Sequence, residues 1–246
     1  MANGRDGSLI VAQGYDLHRY SADGVLASET LFSRYLSPYY QLVELANGQY
    51  ALLVPDRYGS SVVGLSEDGA TELWRWESEA ELYRMAELAD GFGVGGSVDT
   101  GDSGTTSAAR PYLARIFTDG ASAWEWLPEN ETARGSLDHV LATDEAIFTV
   151  STEDPVTGLS QNQVRTPVAG EEDPLWGQCS AYGCLGLVVR RFDFSGELEW
   201  EFQYRSETSA AKSAALYDGA LWVLVEIARE STSYELMRFD LEPSAS

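Results

Sequence analysis

The chain has 246 residues, long enough for one large all-β unit or two smaller ones, and its 39 acidic residues against 16 basic ones leave a formal charge of -23. Such a surface repels phosphate, and with no basic patch or aromatic-plus-basic stripe to interrupt it the composition argues against nucleic-acid binding. The sequence has no apolar run of about 18 residues and no charged-then-apolar leader at Met1, so neither a membrane-spanning helix nor an intact signal peptide is expected. The charge itself suits either a solvated surface kept soluble by self-repulsion or a surface that gathers cations in a salty setting.

In chain order, one module recurs. Asp6-Gly7 precedes a strand over Ser8 to Gln13, then Leu17-His18-Arg19-Tyr20 and a turn glycine, Gly24. The second copy runs from Asn47-Gly48 through a strand over Gln49 to Val54, with Gly64 at the Arg position, then Gly69 and Trp74-Arg75-Trp76. Asp90-Gly91 opens the third, with a strand over Phe92 to Ser97, then Leu113-Ala114-Arg115-Ile116, Gly120 and Trp124-Glu125-Trp126. Thr143-Asp144 begins the fourth, with Glu145 to Ser151, Val189-Arg190-Arg191-Phe192, Gly196 and Trp200-Glu201-Phe202. Asp218-Gly219 leads to Ala220 to Ile227 and Leu236-Met237-Arg238-Phe239, with Pro243 where the turn glycine stood.

These runs are apolar on both faces, as suits strands sandwiched between neighbouring sheets; a half-solvated strand would alternate apolar and polar residues. Glycine supplies the positive φ of each tight hairpin, and the period of two in Trp-x-Trp puts both rings on one face. The pattern predicts an all-β fold: a β-propeller of four-stranded antiparallel blades, five in number, with incomplete terminal blades, filling residues 1–246 as a single domain. Residues 152–183 form an inserted loop in the fourth blade. The incomplete ends leave two arrangements open, a weakly closed five-bladed ring or a stretch of a longer propeller, and an open ring would expose strand edges to other chains.

The order of strand, Asp-Gly, strand, strand, Gly turn and Trp resembles the bacterial β-propeller repeats of the quinoprotein-like superfamily, over nearly the whole chain. The resemblance implies a fold and no single activity, because such propellers include binding platforms, assembly scaffolds and enzymes. The turns Glu67-Asp68-Gly69, Thr118-Asp119-Gly120 and Phe194-Ser195-Gly196 depart from the Thr-Gly-Lys type of the quinone enzymes, which argues against quinone binding. Ser66-Glu67-Asp68-Gly69 only partly matches a sialidase-type Asp box.

The first and third connections of each module are tight turns at one end of the ring. The second connections lie at the other end and vary, from Asp56 to Ser60, through Val98 to Arg110, to the large insertion, so function is expected on that face. The starts of the innermost strands share it, and aligned positions hold Gln41, Arg84, Asp138 and Lys212, with His139 beside Asp138. They read either as a ligand-binding channel mouth or as charges that pair and close it. Val43, Ala86, Val140 and Ala214 would then line the channel. The repeated Arg19, Arg115, Arg191 and Arg238 read as structural, because one active site does not need four copies, and the Trp pairs as packing between sheets.

Cys179 and Cys184 read as a local disulfide that stiffens the insertion and implies a periplasmic or extracellular location, with two buried thiols as the alternative. No metal site is assigned; Asp99-Thr100-Gly101-Asp102 and Glu171-Glu172-Asp173 offer oxygens to Ca2+ without EF-hand spacing, so Ca2+ is the one cofactor entertained. The expected function is a non-catalytic extracytoplasmic binding or scaffold module for a protein or glycan. The alternative is a propeller-fold hydrolase or lyase with Asp138 and His139 at the channel mouth.

Overall fold

A computed structural model describes residues 2–3, 7–36, 41–56, 59–67, 69, 71–99, 109–128, 134–154, 186–205, 209–228 and 232–241. Among them the fold is all-β, with 18 strands in five antiparallel sheets that follow one another in chain order. The first sheet is β1 (Ala2–Asn3), β2 (Leu9–Tyr20) and β3 (Leu26–Leu36). The second is β4 (Leu42–Glu44), β5 (Tyr50–Asp56), β6 (Gly59–Leu65) and β7 (Glu72–Ser78). The third is β8 (Glu81–Leu88), β9 (Gly91–Asp99), β10 (Ala109–Phe117) and β11 (Ser122–Trp126). β12 (Arg134–Ala142), β13 (Ile147–Asp154), β14 (Gly186–Phe192) and β15 (Leu198–Arg205) make the fourth, and β16 (Ser209–Tyr217), β17 (Ala220–Ala228) and β18 (Thr232–Asp240) the fifth.

Each sheet has a front face toward its successor in the chain and a rear face toward its predecessor. Ile10 and Leu17 on the front of the first sheet pack on Leu42, Tyr50, Leu52 and Leu65. Leu53 and Val62 of the second meet Leu82, Met85, Phe92 and Ile116 of the third. Leu113 of the third meets Leu137, Val140 and Phe192, and Phe148, Val150, Leu187 and Val189 of the fourth meet Leu221, Val223, Val225 and Ile227. Strands buried on both sides are why the runs read as apolar on both faces. This is the blade arrangement of a β-propeller. It is not closed: among the described residues no extensive packing joins the first sheet to the last.

The repeated residues clasp one sheet to the next. Arg115 in β10 donates to the carbonyl of Phe194, three residues past the equivalent Arg191. Arg191 in turn donates to the carbonyl of Leu241, three residues past Arg238, at 3.1 Å. Trp124 adds a bond to the same Phe194 carbonyl at 3.0 Å. The ring pair at the sheet edge then grips the aromatic that follows the next Arg: Phe192 lies 6.3 Å from Trp124 and 5.0 Å from Trp126, and Phe239 lies 6.3 Å from Trp200 and 4.9 Å from Phe202. Gly64 stands in for Arg in the second sheet because a Cβ there would come within 2.0 Å of Trp74 Cε2.

Two expectations need correction. The stretches Ser8 to Gln13 and Leu17 to Tyr20 are not separate strands: from Leu9 on, both belong to β2. The stretch between them offers a lone Gly14 and no Asn/Asp-Gly pair, so the register breaks at Gly14/Asp16 without reversing the chain. β13 also runs on through Thr152 to Asp154, which moves the start of the insertion beyond Asp154.

The turn glycines separate backbone strain from close approach. At Gly196 (φ 91°) a Cβ would sit 2.8 Å from Trp124 Cδ2, whereas at Gly24 (φ 76°) nothing among the described residues lies within 4 Å. Gly24→Ala should lower the unfolding free energy by about 1–2 kcal/mol through φ alone. Gly196→Ala should add roughly 1–3 kcal/mol of overpacking, read as a larger drop in urea midpoint. Equal losses would contradict the Trp-over-turn contact.

Candidate functional site

The inner strands bend where the aligned polar residues stand. Register shifts fall between Leu82 and Arg84, Leu137 and His139, and Ala211 and Ser213, so each of three inner strands carries a bulge next to or at the aligned position. A bulge re-aims the side chain it releases, here across to the next sheet.

The aligned groups form a chain of contacts from sheet to sheet. Gln41 clamps the Met85 backbone, accepting from its N–H at 2.6 Å and donating to its carbonyl at 2.7 Å. Arg84 donates from Nε to the Asp138 carbonyl at 2.7 Å and from a terminal nitrogen to the Tyr83 carbonyl at 2.9 Å. Asp138 accepts from Thr152 Oγ1 at 2.7 Å, and Thr152 Oγ1 accepts from the Ala211 N–H at 3.3 Å. Lys212 pairs with Glu226 at 2.9 Å, a hydrogen bond that lifts its ammonium above the usual range. The second, third, fourth and fifth sheets are thus joined through three of the four residues, while Lys212 is satisfied within its own sheet.

The residues two positions on lie elsewhere than expected. Val43, Ala86, Val140 and Ala214 pack in the apolar layers between successive sheets, not around an axis. In a radial blade the two faces of the inner strand look at the neighbouring blades, and only its edge looks inward. Gly95 makes room for this packing: a Cβ there would meet Val140 Cγ2 at 2.6 Å and Leu137 Cδ1 at 2.8 Å.

Burial pushes the Asp138 carboxyl up, against the Thr152 hydroxyl and the Arg84 charge, which pull it down. Burial and then Arg84 push the His139 imidazole down, toward its neutral form. The two side chains share no hydrogen bond, so no general-base pair is assembled by their adjacency.

Two clusters escaped the sequence reading. Arg190 is buried on the rear face of the fourth sheet, held by both carboxylate oxygens of Glu153, by Glu201 at 2.6 Å and by Ser151 at 3.2 Å, with its guanidinium carbon 5.1 Å from the Trp126 ring centroid. Burial works against its charge, but Glu153 and Glu201 outweigh it and raise its pKa. With its donors taken, this is a structural ion cluster. The second cluster is Asp16, His18 and Glu29, whose ligand-capable atoms lie within 4.8 Å of one another on the rear face of the first sheet. Asp-x-His on a strand and the direct pairing of His18 with Glu29 make the cluster. The period of two was its available signal; Glu29 was beyond reach without the register. Mixed nitrogen and oxygen donors suit a transition metal better than Ca2+.

Cys179, Cys184, Glu171-Glu172-Asp173 and Thr100 to Asp102 lie outside the described residues, and Asp99 is exposed at the end of β9. No helix among the described residues is long and apolar enough to cross a membrane. No protein-family model matches the chain, and no curated protein matches it.

The Asp138 shift has a sign that can be measured. A carboxyl whose folded pKa lies above its unfolded value, about 3.9, costs the fold nothing below that value and an increasing amount as pH rises through the folded one. Asp138→Asn removes this cost. Urea unfolding of variant and wild type should therefore diverge in the variant's favour between pH of about 3 and 7, with the shared effect of the remaining carboxylates cancelling. A difference that stays constant with pH would contradict the burial of this carboxyl.

Proposed function

We propose that the chain is a non-catalytic binding or scaffold module of propeller type, which holds a protein or glycan on the end of the sheets that carries its long connections. The observation that carries this reading is the commitment of Gln41 and Arg84 to backbone atoms of the next sheet and of the Asp138 carboxylate to the Thr152 hydroxyl of its own sheet. Groups committed in this way are poorly placed to take a proton from a substrate, and a general base needs a free lone pair within reach of one. The connections 57–58, 100–108 and 155–185 leave the sheets at the same end, as antiparallel order requires. Loops on a rigid scaffold are where recognition concentrates. The likeness to quinoprotein-like repeats, a periplasmic or extracellular location and a Cys179 to Cys184 disulfide belong to the same reading.

The test uses binding and turnover together. The intact chain and a variant with residues 161–183 replaced by a short Gly-Ser turn are probed on a glycan array and on immobilised extracellular proteins, and both are assayed with chromogenic glycosides and esters. The expected outcome is binding that survives in Asp138→Asn and His139→Gln and is lost with the insertion. Turnover that disappears in Asp138→Asn or His139→Gln would replace this reading with the hydrolase or lyase one.

A further inference from the structure

We propose that the front face of the last sheet and the rear face of the first are two halves of one interface, and that copies of this chain associate head to tail through them. This goes beyond the loop-face reading and does not depend on it.

The front of the last sheet repeats a face that is buried one sheet earlier. Trp222 pairs with Arg238 and Leu224 with Leu236, in the register in which Phe148 pairs with Arg191 and Val150 with Val189. Val189 and Leu187 are 0% exposed beneath the fifth sheet, whereas their equivalents Leu236 and Tyr234 are 63% and 62% exposed. Tyr217 adds to the same patch at 74%. A contiguous exposed apolar patch on a sheet marks an interaction surface. Arg238 is the clasp residue of this sheet, yet its partners Asp240, at 2.7 Å, and the Trp222 ring belong to its own sheet. Arg115 and Arg191, in the same position, reach the turn carbonyl of the sheet that follows.

The rear of the first sheet carries the complementary halves. Tyr20 holds the position of Phe192 and Phe239, which edge rings of the preceding sheet grip. His18, opposite Glu29, holds the position of Arg190 opposite Glu201. His18 Nδ1 is buried without a hydrogen-bond partner among the described residues. The turn glycines of the third and fourth sheets lie under Trp74 and Trp124 of the sheets before them, whereas among the described residues nothing lies over Gly24.

A second copy fits better than an unrelated partner because the rear face of each sheet is built to receive the front face of such a sheet. The open front asks for no unlike charge, since Arg238 and Lys212 are paired there with Asp240 and Glu226, so its apolar surface and its clasp residue carry the match. The docked arrangement extends the clasp: Arg238 meets the carbonyl of Ala22, three residues past Arg19, as Arg191 meets Leu241. Two different patches make the contact heterologous, so it closes into a ring or continues as a string of copies.

Sedimentation velocity and light scattering of the whole chain test this, at low salt and at raised salt, where the repulsion between the two net charges is screened. Wild type should show a mass of two or more chains that grows with concentration and is favoured by raised salt. Leu236→Glu on the front and Tyr20→Glu on the rear replace side chains that are not fully buried, so each should keep the wild-type melting temperature and run as a single chain. A mixture of the two should recover pairs and nothing larger, since each variant retains one working face. Wild type that stays a single chain at all concentrations would overturn the proposal. So would self-association abolished by Leu236→Glu but untouched by Tyr20→Glu, which would mean the front face pairs with itself.

Discussion

The structure depends on the grip of one sheet on the turn of the next. Arg and the edge rings reach forward, and a turn carbonyl, a glycine and an aromatic receive them. A guanidinium bond to a carbonyl contributes about 1.5–3 kcal/mol. Each aromatic pair adds about 0.5–1.5 kcal/mol beyond its burial. Sheets that touch only through flat apolar faces could slide by a residue. A directed hydrogen bond at the edge of each face fixes the offset, so the clasp supplies register where burial supplies most of the energy.

The grip is directional, and that makes the faces of each sheet unequal. A front face needs the Arg and the rings, while a rear face needs the turn and one aromatic. Where both neighbours are present the demands meet. They also reshape composition locally, which is why the third sheet shows Gly93 and Gly95 on its front, beneath Leu137, Val140 and Ile147, where other sheets carry larger side chains. At the first and last sheets one demand on each side goes unmet within the described chain, so the same residue types that disappear into the middle layers stand in solvent.

The repeat made most of the fold legible. Turn pairs, apolar runs and Leu-x-Arg-aromatic located the sheets, because turn chemistry and clasp chemistry are local in sequence. The first sheet departs in detail from the repeat because a missing turn pair is a weak local signal, and the two stretches expected as separate strands continue through an irregularity at Gly14/Asp16. The arginines and Trp pairs read as structural from their repetition, but their targets were hidden, since a carbonyl fifty or more residues away leaves no side-chain signature. Arg190 was invisible for the same reason: its partners Glu153 and Glu201 come together only through the pairing of β13, β14 and β15.

The aligned inner-strand residues show how one position serves different ends. Gln41 and Arg84 reach backbone atoms of the next sheet, Asp138 accepts from Thr152 in its own sheet, and Lys212 answers Glu226. Four residue types at one repeat position look like specialised ligand groups when read along the sequence. Their targets differ, however, and a bulged strand offers each a different nearby acceptor or donor, so diversity here follows from satisfying buried backbone and carboxyl groups one sheet at a time. On the proposed reading, recognition falls where the repeat breaks, at the long connections and at the two open faces.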